Sequence, residues 1–89
     1  MLSIVYSTQF KKDFKNARRL PIADLKEIFS VVSALENGSA LDAKYKDHAL
    51  TGTWSKFREC HIKPDYLLIY QIRNNELRLA RLGSHSELF

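Results

Sequence analysis

The apolar positions of this chain change their rhythm three times, and each rhythm predicts a different element. Leu2, Ile4 and Tyr6 alternate with Ser3, Val5 and Ser7, which predicts a short first strand. Ser7 or Thr8 then offers a cap for a helix running to about residue 19. Within it Phe10, Phe14 and Ala17 recur at i, i+4 and i+7 as a narrow core stripe. Lys11, Lys15 and Arg18 repeat that spacing as a second stripe, flanked by Lys12 and Arg19, so the same helix shows a basic ridge. Pro21 suits the first turn of a second helix, because its missing N–H would be unpaired there anyway. Ile22, Leu25, Ile28, Phe29, Val32 and Leu35 form its apolar face, and Asn37-Gly38 supplies its stop. So tight a break between the two helices predicts an antiparallel hairpin.

From residue 39 to 53 the period lapses, which predicts a surface loop. Alternation returns in three strands, residues 56–62, 66–72 and 76–82. Lys63-Pro64-Asp65 turns the chain between the first two. Asn74-Asn75 fits a two-residue hairpin turn before the third, since asparagine tolerates positive φ. The run 66–72 is the most apolar and belongs at the centre. Gly83 then opens a polar tail that frays unless something ties it down, and the terminal Phe89 is the natural plug. The order β-α-α-β-β-β predicts an α+β fold. Its helix hairpin packs on one face of a small antiparallel sheet, with residues 1–89 as one domain.

Composition narrows the class. Hydrophobic residues at 45% and aromatics at 11% describe a folded chain. No run approaches the ~20 apolar residues of a membrane span. The N-terminus lacks the charged region of a secretion signal, so a cytoplasmic location is the default expectation. One cysteine, Cys60, makes no internal disulfide and no zinc site by itself. Fourteen basic against ten acidic residues give a net charge of +4 and a pI of 9.4. That is the footprint of a nucleic-acid binder, although solvated lysines alone produce the same totals.

The candidate chemistry lies in the last half. All three histidines, His48, His61 and His85, stand there among basic residues. Histidine both takes and gives a proton near neutrality, which suits acid–base work on a phosphate-bearing substrate. Period-2 geometry sends Cys60 and Ile62 towards a core and Glu59 and His61 to the opposite face, away from the helices. Asp65, in the turn after His61, gains meaning from that neighbour; alone it is an ordinary turn residue. His48 and Lys46 share the irregular loop. Arg73, Arg78 and Arg81 add fixed positive charge, and Arg81 stands four residues before His85, within reach of a shared phosphate. Phe89 offers a stacking platform for a base. Trp54 reads as core or sheet edge. The dispersed histidines form no metal-ligating pattern, and there is no glycine-rich phosphate loop or nucleophile elbow, so no cofactor is expected. Cys60 points inward and is no thiol nucleophile.

Residues 45–54 (Tyr-Lys-Asp-His-Ala-Leu-Thr-Gly-Thr-Trp), residues 57–65 (Phe-Arg-Glu-Cys-His-Ile-Lys-Pro-Asp), the apolar Leu67-Leu68-Ile69-Tyr70 and the ending from Arg81 to Phe89 closely resemble the YafQ branch of the RelE/ParE toxin superfamily. The likeness is specific over about half the chain, and earlier it rests on helix-hairpin character. It implies a type II toxin, a metal-independent endoribonuclease that cuts mRNA in the ribosomal A site. It also implies silencing by a cognate antitoxin protein, with promoter DNA contacted only through the antitoxin complex and no membrane partner. By motif position, His48, His61, Asp65, His85 and Phe89 would carry the catalytic work, Arg81 would stabilise the phosphate, and Lys46 and Glu59 would bind substrate. The ridge of Lys11, Lys12, Lys15, Arg18 and Arg19 would meet ribosomal RNA or the antitoxin. Within the same fold, a ParE-like gyrase inhibitor would not need three histidines converging on one face. A non-catalytic basic module would depend on the ridge and not on His85.

Overall fold

The apolar run Tyr66–Arg73 (β4) lies at the middle of a five-stranded sheet in a computed structural model that describes residues 1–89. Four consecutive residues of it, Leu67 to Tyr70, are at most 1% exposed, which is why so continuous an apolar run is tolerated. Arg58–Lys63 (β3) and Glu76–Gly83 (β5) flank it antiparallel on either side. The β4–β5 turn has Asn74 and Asn75 at φ 53° and 61°, the left-handed pair that a tight hairpin requires. The edges are Ser3–Tyr6 (β1), beside β5, and His48–Ala49 (β2), beside β3, so the order is β1-β5-β4-β3-β2.

The sheet is not wholly antiparallel, because β1 runs parallel to β5. Parallel neighbours need a crossover, and the two helices with the segment after them supply it. Ser7 caps Thr8–Ala17 (α1) by accepting from the Phe10 N–H at 2.9 Å. Pro21 stands just before Ile22–Glu36 (α2), one place earlier than its expected first turn. Gly38, at φ +73°, then ends α2 as its amide bonds the Leu35 carbonyl. The helix stripe that meets the sheet is Ile28, Val31 and Leu35. Ile22 and Phe29, expected on that face, are 73% and 56% exposed, and Phe29 leans on Phe14 across the hairpin.

Phe10, Ala17, Ile28, Val31 and Leu35 close over Cys60, Ile62, Leu68, Tyr70, Leu77, Leu79 and Leu82 to make the larger core. Each large side chain so buried contributes roughly 1.5–3 kcal/mol. A smaller cluster on the other face joins Leu67, Ile69 and Leu88, with Leu50, Trp54, Phe57 and Ala80 packed around it. Trp54, expected in the core or at a sheet edge, is partly buried against this cluster and meets Phe57 edge-on at 5.1 Å.

Two segments are more ordered than the sequence pattern predicts. The supposed loop from 39 to 53 holds 3-10 turns at Ala43–Tyr45 and Gly52–Trp54 as well as β2. Elements of two or three residues are too short to leave a period. The expected tail is a helical turn, His85–Leu88 (α3), tied by a capping box in which the side chains of Ser84 and Glu87 each accept from the other's backbone N–H. The plug is Leu88, 7% exposed, and not Phe89, which is 58% exposed. Gly83 permits this fold-back, since a Cβ there would stand 3.2 Å from Glu87 Oε1.

Candidate active site

Strand register lays the candidate residues out in rows. His48 of β2 lies opposite Glu59 of β3, Glu59 opposite Ile69 of β4, and Ile69 opposite Arg81 of β5. The next row runs from His61 through Leu67 to Gly83, and His85 follows directly on α3. Paired residues in antiparallel strands share a face, so one side of the sheet carries the whole set. A slip of register between Ile69 and Tyr70 leaves Ala80 as an extra residue on β5, which turns Arg81 to this face.

Four rings form a continuous line. His48 and His61 lie 6.0 Å apart between centroids, His61 and His85 6.0 Å, and His85 and Phe89 5.9 Å. Glu59 sits beneath the first two, with its Oε1 3.6 Å from His48 Nε2 and 3.2 Å from His61 Nε2. At 4% exposure it is the one buried charged residue of the chain and is shielded from substrate by the imidazoles it faces. Each ring is fixed at its other nitrogen. His48 Nδ1 lies 2.7 Å from the Lys46 carbonyl and His61 Nδ1 3.2 Å from that of Pro64. A carbonyl only accepts, so both Nδ1 atoms carry hydrogen, and both Nε2 atoms are turned to the Glu59 carboxylate. Lys46 makes its contact from a left-handed backbone, φ 50°, a conformation seldom adopted by lysine.

His85 is held differently. Asp65 accepts from its backbone N–H at 3.1 Å and stands 3.5 Å from its Nδ1, so this turn carboxylate orients the third ring. Both side chains are well exposed, which leaves His85 free to meet a large ligand. A cleft of about 480 Å³ opens beside His61, between α2 and the turn after β3, with Lys44, Lys46 and Lys63 on its walls.

Two further acids shape the site that sequence reasoning missed. Asp47 accepts from Tyr70 Oη at 2.6 Å and from Arg58 Nε at 3.3 Å, which pins the His48 segment to β3 and β4. Burial and that bond push the Tyr70 phenol well above its ordinary range, and Asp47 holds Arg58 more firmly protonated. Asp13 on α1 grips Arg81 and likewise strengthens its hold on the proton. Neither acid has a local signal. Cys60 is fully buried, and desolvation raises its thiol to about 12, so it is no nucleophile. Arg73 and Arg78 stand at the far end of the β4–β5 hairpin, where Arg78 pairs with Glu76.

Although the histidines are dispersed in sequence, His48, Glu59 and His61 bring ligand atoms within 4.8 Å of one another. Two imidazoles and a carboxylate suit copper or zinc far better than magnesium. The basic ridge is separate from all of this. Lys11, Lys12, Lys15, Arg18 and Arg19 are exposed on α1 and the turn after it, and none lies within ion-pair distance of an acid.

Known proteins share this fold and much of this sequence. Residues 2–89 match the family model described as bacterial toxin of type II toxin-antitoxin system, YafQ. The mRNA interferase toxin YafQ of Escherichia coli K12 is 39% identical over 87 residues, 97% of this chain and 94% of that protein. The crystal structure of a metal-bound toxin from Helicobacter pylori superposes with a TM-score of 0.88 at 49% identity, covering 100% of both chains. The toxin in the E. coli DinJ-YafQ complex superposes at 0.81 with 37% identity, covering 100% of this chain and 99% of its own. This chain belongs to the YafQ family of bacterial toxins from type II toxin–antitoxin systems.

Proposed function

We propose that the protein is an endoribonuclease that cuts mRNA on the ribosome, arrests translation, and is silenced by a cognate antitoxin. The observation that carries the reading is the line His48–His61–His85–Phe89, backed by buried Glu59 at one end and by Asp65 at the other. RNA supplies its own nucleophile, so the protein has three tasks. His61, or His48 beside it, turns its Nε2 from Glu59 towards the substrate to take the 2′-hydroxyl proton, and the adjacent Glu59 carboxylate stabilises the imidazolium that results. The 2′-oxygen bonds phosphorus as the bond to the 5′-oxygen breaks, leaving a 2′,3′-cyclic phosphate. His85, across the phosphate, gives its proton to the departing 5′-oxygen. Arg81 and Lys46 offset charge on the non-bridging oxygens, and Phe89 stacks on a neighbouring base.

Glu59 enters this scheme as a support for the histidines, in place of the substrate contact expected from sequence. A transition metal held by His48, Glu59 and His61 would occupy the Nε2 lone pairs that the proton transfer uses. The basic ridge borders an apolar groove lined by Tyr6, Phe10, Phe14 and Phe29, and this surface meets ribosomal RNA or an acidic segment of the antitoxin. No helix is long and apolar enough to cross a membrane. The site of action is the cytoplasm, where ribosomes work.

Primer extension on a message held in bacterial ribosomes tests the scheme with wild-type protein and His85→Ala. Cuts near the A-site codon are expected from the wild type, and the variant should be slower by about 10²- to 10⁴-fold. Equal cutting by both removes His85 from the mechanism. No cutting by either, with growth still arrested, points to a gyrase-directed toxin.

A further inference from the structure

The helix-side end of β5 holds an arrangement that the proton-transfer scheme does not use. β1 stops at Tyr6, opposite Leu79, whereas β5 continues to Gly83. Beyond that point the outer edge of β5 has no strand to pair with. Two side chains from the start of the helical hairpin take over. Ser7 donates its backbone N–H to the Leu79 carbonyl at 3.1 Å and its hydroxyl to the Ala80 carbonyl at 2.8 Å. Asp13, nearly two turns further along α1, accepts from the Leu82 N–H at 3.0 Å.

The Asp13 oxygen that seals the edge also accepts from Arg81 Nε at 2.8 Å, and its second oxygen lies 3.3 Å from Arg81 Nη2. This is the two-pronged geometry that fixes a guanidinium plane as well as its position. The pair is largely shielded, with the side chains of Asp13 and Arg81 only 11% and 21% exposed. Because Asp13 is tied to the backbone of the strand that carries Arg81, it cannot follow that arginine if it swings away. The Nε edge is fully used, so Nη1 and the outer hydrogen of Nη2 are what Arg81 has left to offer. Arg81 lies in the same row as Glu59 and His48, on the face where His61 and His85 converge.

We propose that Asp13 is a positioning residue for phosphate binding, locking the Arg81 fork so that its free edge faces the scissile phosphate. The inference rests on the phosphate-stabilising role assigned to Arg81 above. A preset donor makes no rearrangement as the phosphorane forms, and that is where electrostatic stabilisation acts. Asp13 touches neither substrate nor reacting atoms and acts only through Arg81.

Asp13→Asn separates this role from a structural one. Its amide oxygen still accepts from the Leu82 N–H and Arg81 Nε, while its NH₂ group puts a donor against Nη2, so the second prong that fixes the guanidinium plane is lost. Cleavage of ribosome-held message is followed for wild type, Asp13→Asn, Arg81→Ala and the double variant, with melting temperatures for each. We expect Asp13→Asn to lower kcat by about 10- to 100-fold, as a misplaced group does, with KM and melting temperature nearly unchanged. The double variant should be no slower than Arg81→Ala alone. The proposal falls if Asp13→Asn cuts at the wild-type rate or faster, which would make Asp13 a bystander or a competitor for Arg81. It falls equally if the two losses multiply, or if the loss tracks the unfolded fraction. Wild-type cutting by Arg81→Ala would instead remove the phosphate role of Arg81, and the positioning role with it.

Discussion

The two faces of the sheet are built from the same strands and do opposite things. In β3 alone, Cys60 and Ile62 enter the core under the helices, while Glu59 and His61 face the line of imidazoles. The helix-side face carries the larger apolar core, and burial there holds Cys60 and Tyr70 in their neutral forms. The open face has only the smaller cluster of Leu67, Ile69 and Leu88, and around it gathers histidines, acids and an arginine in positions enforced by register and hydrogen bonds. An alternation of period 2 is enough to place stability and chemistry one residue apart. Substitutions on adjacent rows of β3 and β4 should therefore fail in different ways.

The largest test of that contrast sets Leu68→Ala against His61→Ala. Leu68, on the helix side, is fully buried, and its truncation should cost about 2–5 kcal/mol in denaturant unfolding. The molecules that remain folded should cut at the normal rate. His61→Ala should slow cleavage by about 10²- to 10⁴-fold and change stability by no more than about 1 kcal/mol. If the histidine variant unfolds as readily as the leucine one, the open face is structural and the division collapses.

A smaller effect sharpens the same division through pH. Cys60 is raised from 9.0 to about 12 and Tyr66 from 10.0 to about 12, both chiefly by burial, and Tyr70 is raised as well. All belong to or pack against the larger core. The folded state binds these protons more tightly than the unfolded chain does. Their contribution is therefore fully present below the ordinary thiol and phenol values and is lost as pH climbs through the folded ones. The urea midpoint should hold steady up to about pH 9 and fall from there towards pH 12. A midpoint that stays level to pH 12 would show that these groups titrate freely in the folded protein.

What was legible in the sequence follows the range of each interaction. The Phe10–Phe14–Ala17 stripe, the strand alternation and the Asn74-Asn75 turn are local rules, and the structure reproduces them. The face carrying Glu59 and His61 was legible for the same reason. The phase of α2 was not, because which of Phe29 and Val31 goes inside depends on how the helix lies on a sheet it has not yet met. The parallel pairing of β1 depends on a partner more than 70 residues later in the chain. The clamp of Asp13 on Arg81 spans 68 positions and the tie of Asp47 to Tyr70 spans 23, so neither acid differs locally from any surface aspartate. The capping box at Ser84 and Glu87 is the opposite case. Its spacing was in plain view and predicts an ordered C-terminal turn.

Phe89 marks the border between the two behaviours, since its neighbour Leu88 is buried while its own ring is left exposed, 5.9 Å from His85. An exposed terminal aromatic contributes little to folding, so Phe89→Ala should leave the melting temperature within a degree or two of wild type. If the ring is a platform for a base, its loss removes about 1 to 3 kcal/mol of binding. The loss should be felt equally in ground and transition states, so that KM rises and kcat holds. A fall in kcat with KM unchanged would mean that Phe89 acts through His85, bracing the imidazole from the side opposite His61. The two outcomes divide the line of rings differently. In the first, Phe89 reads the substrate and the three histidines do the chemistry. In the second, the catalytic array extends to the last residue of the chain, and the burial of Leu88 serves to hold its final member in place.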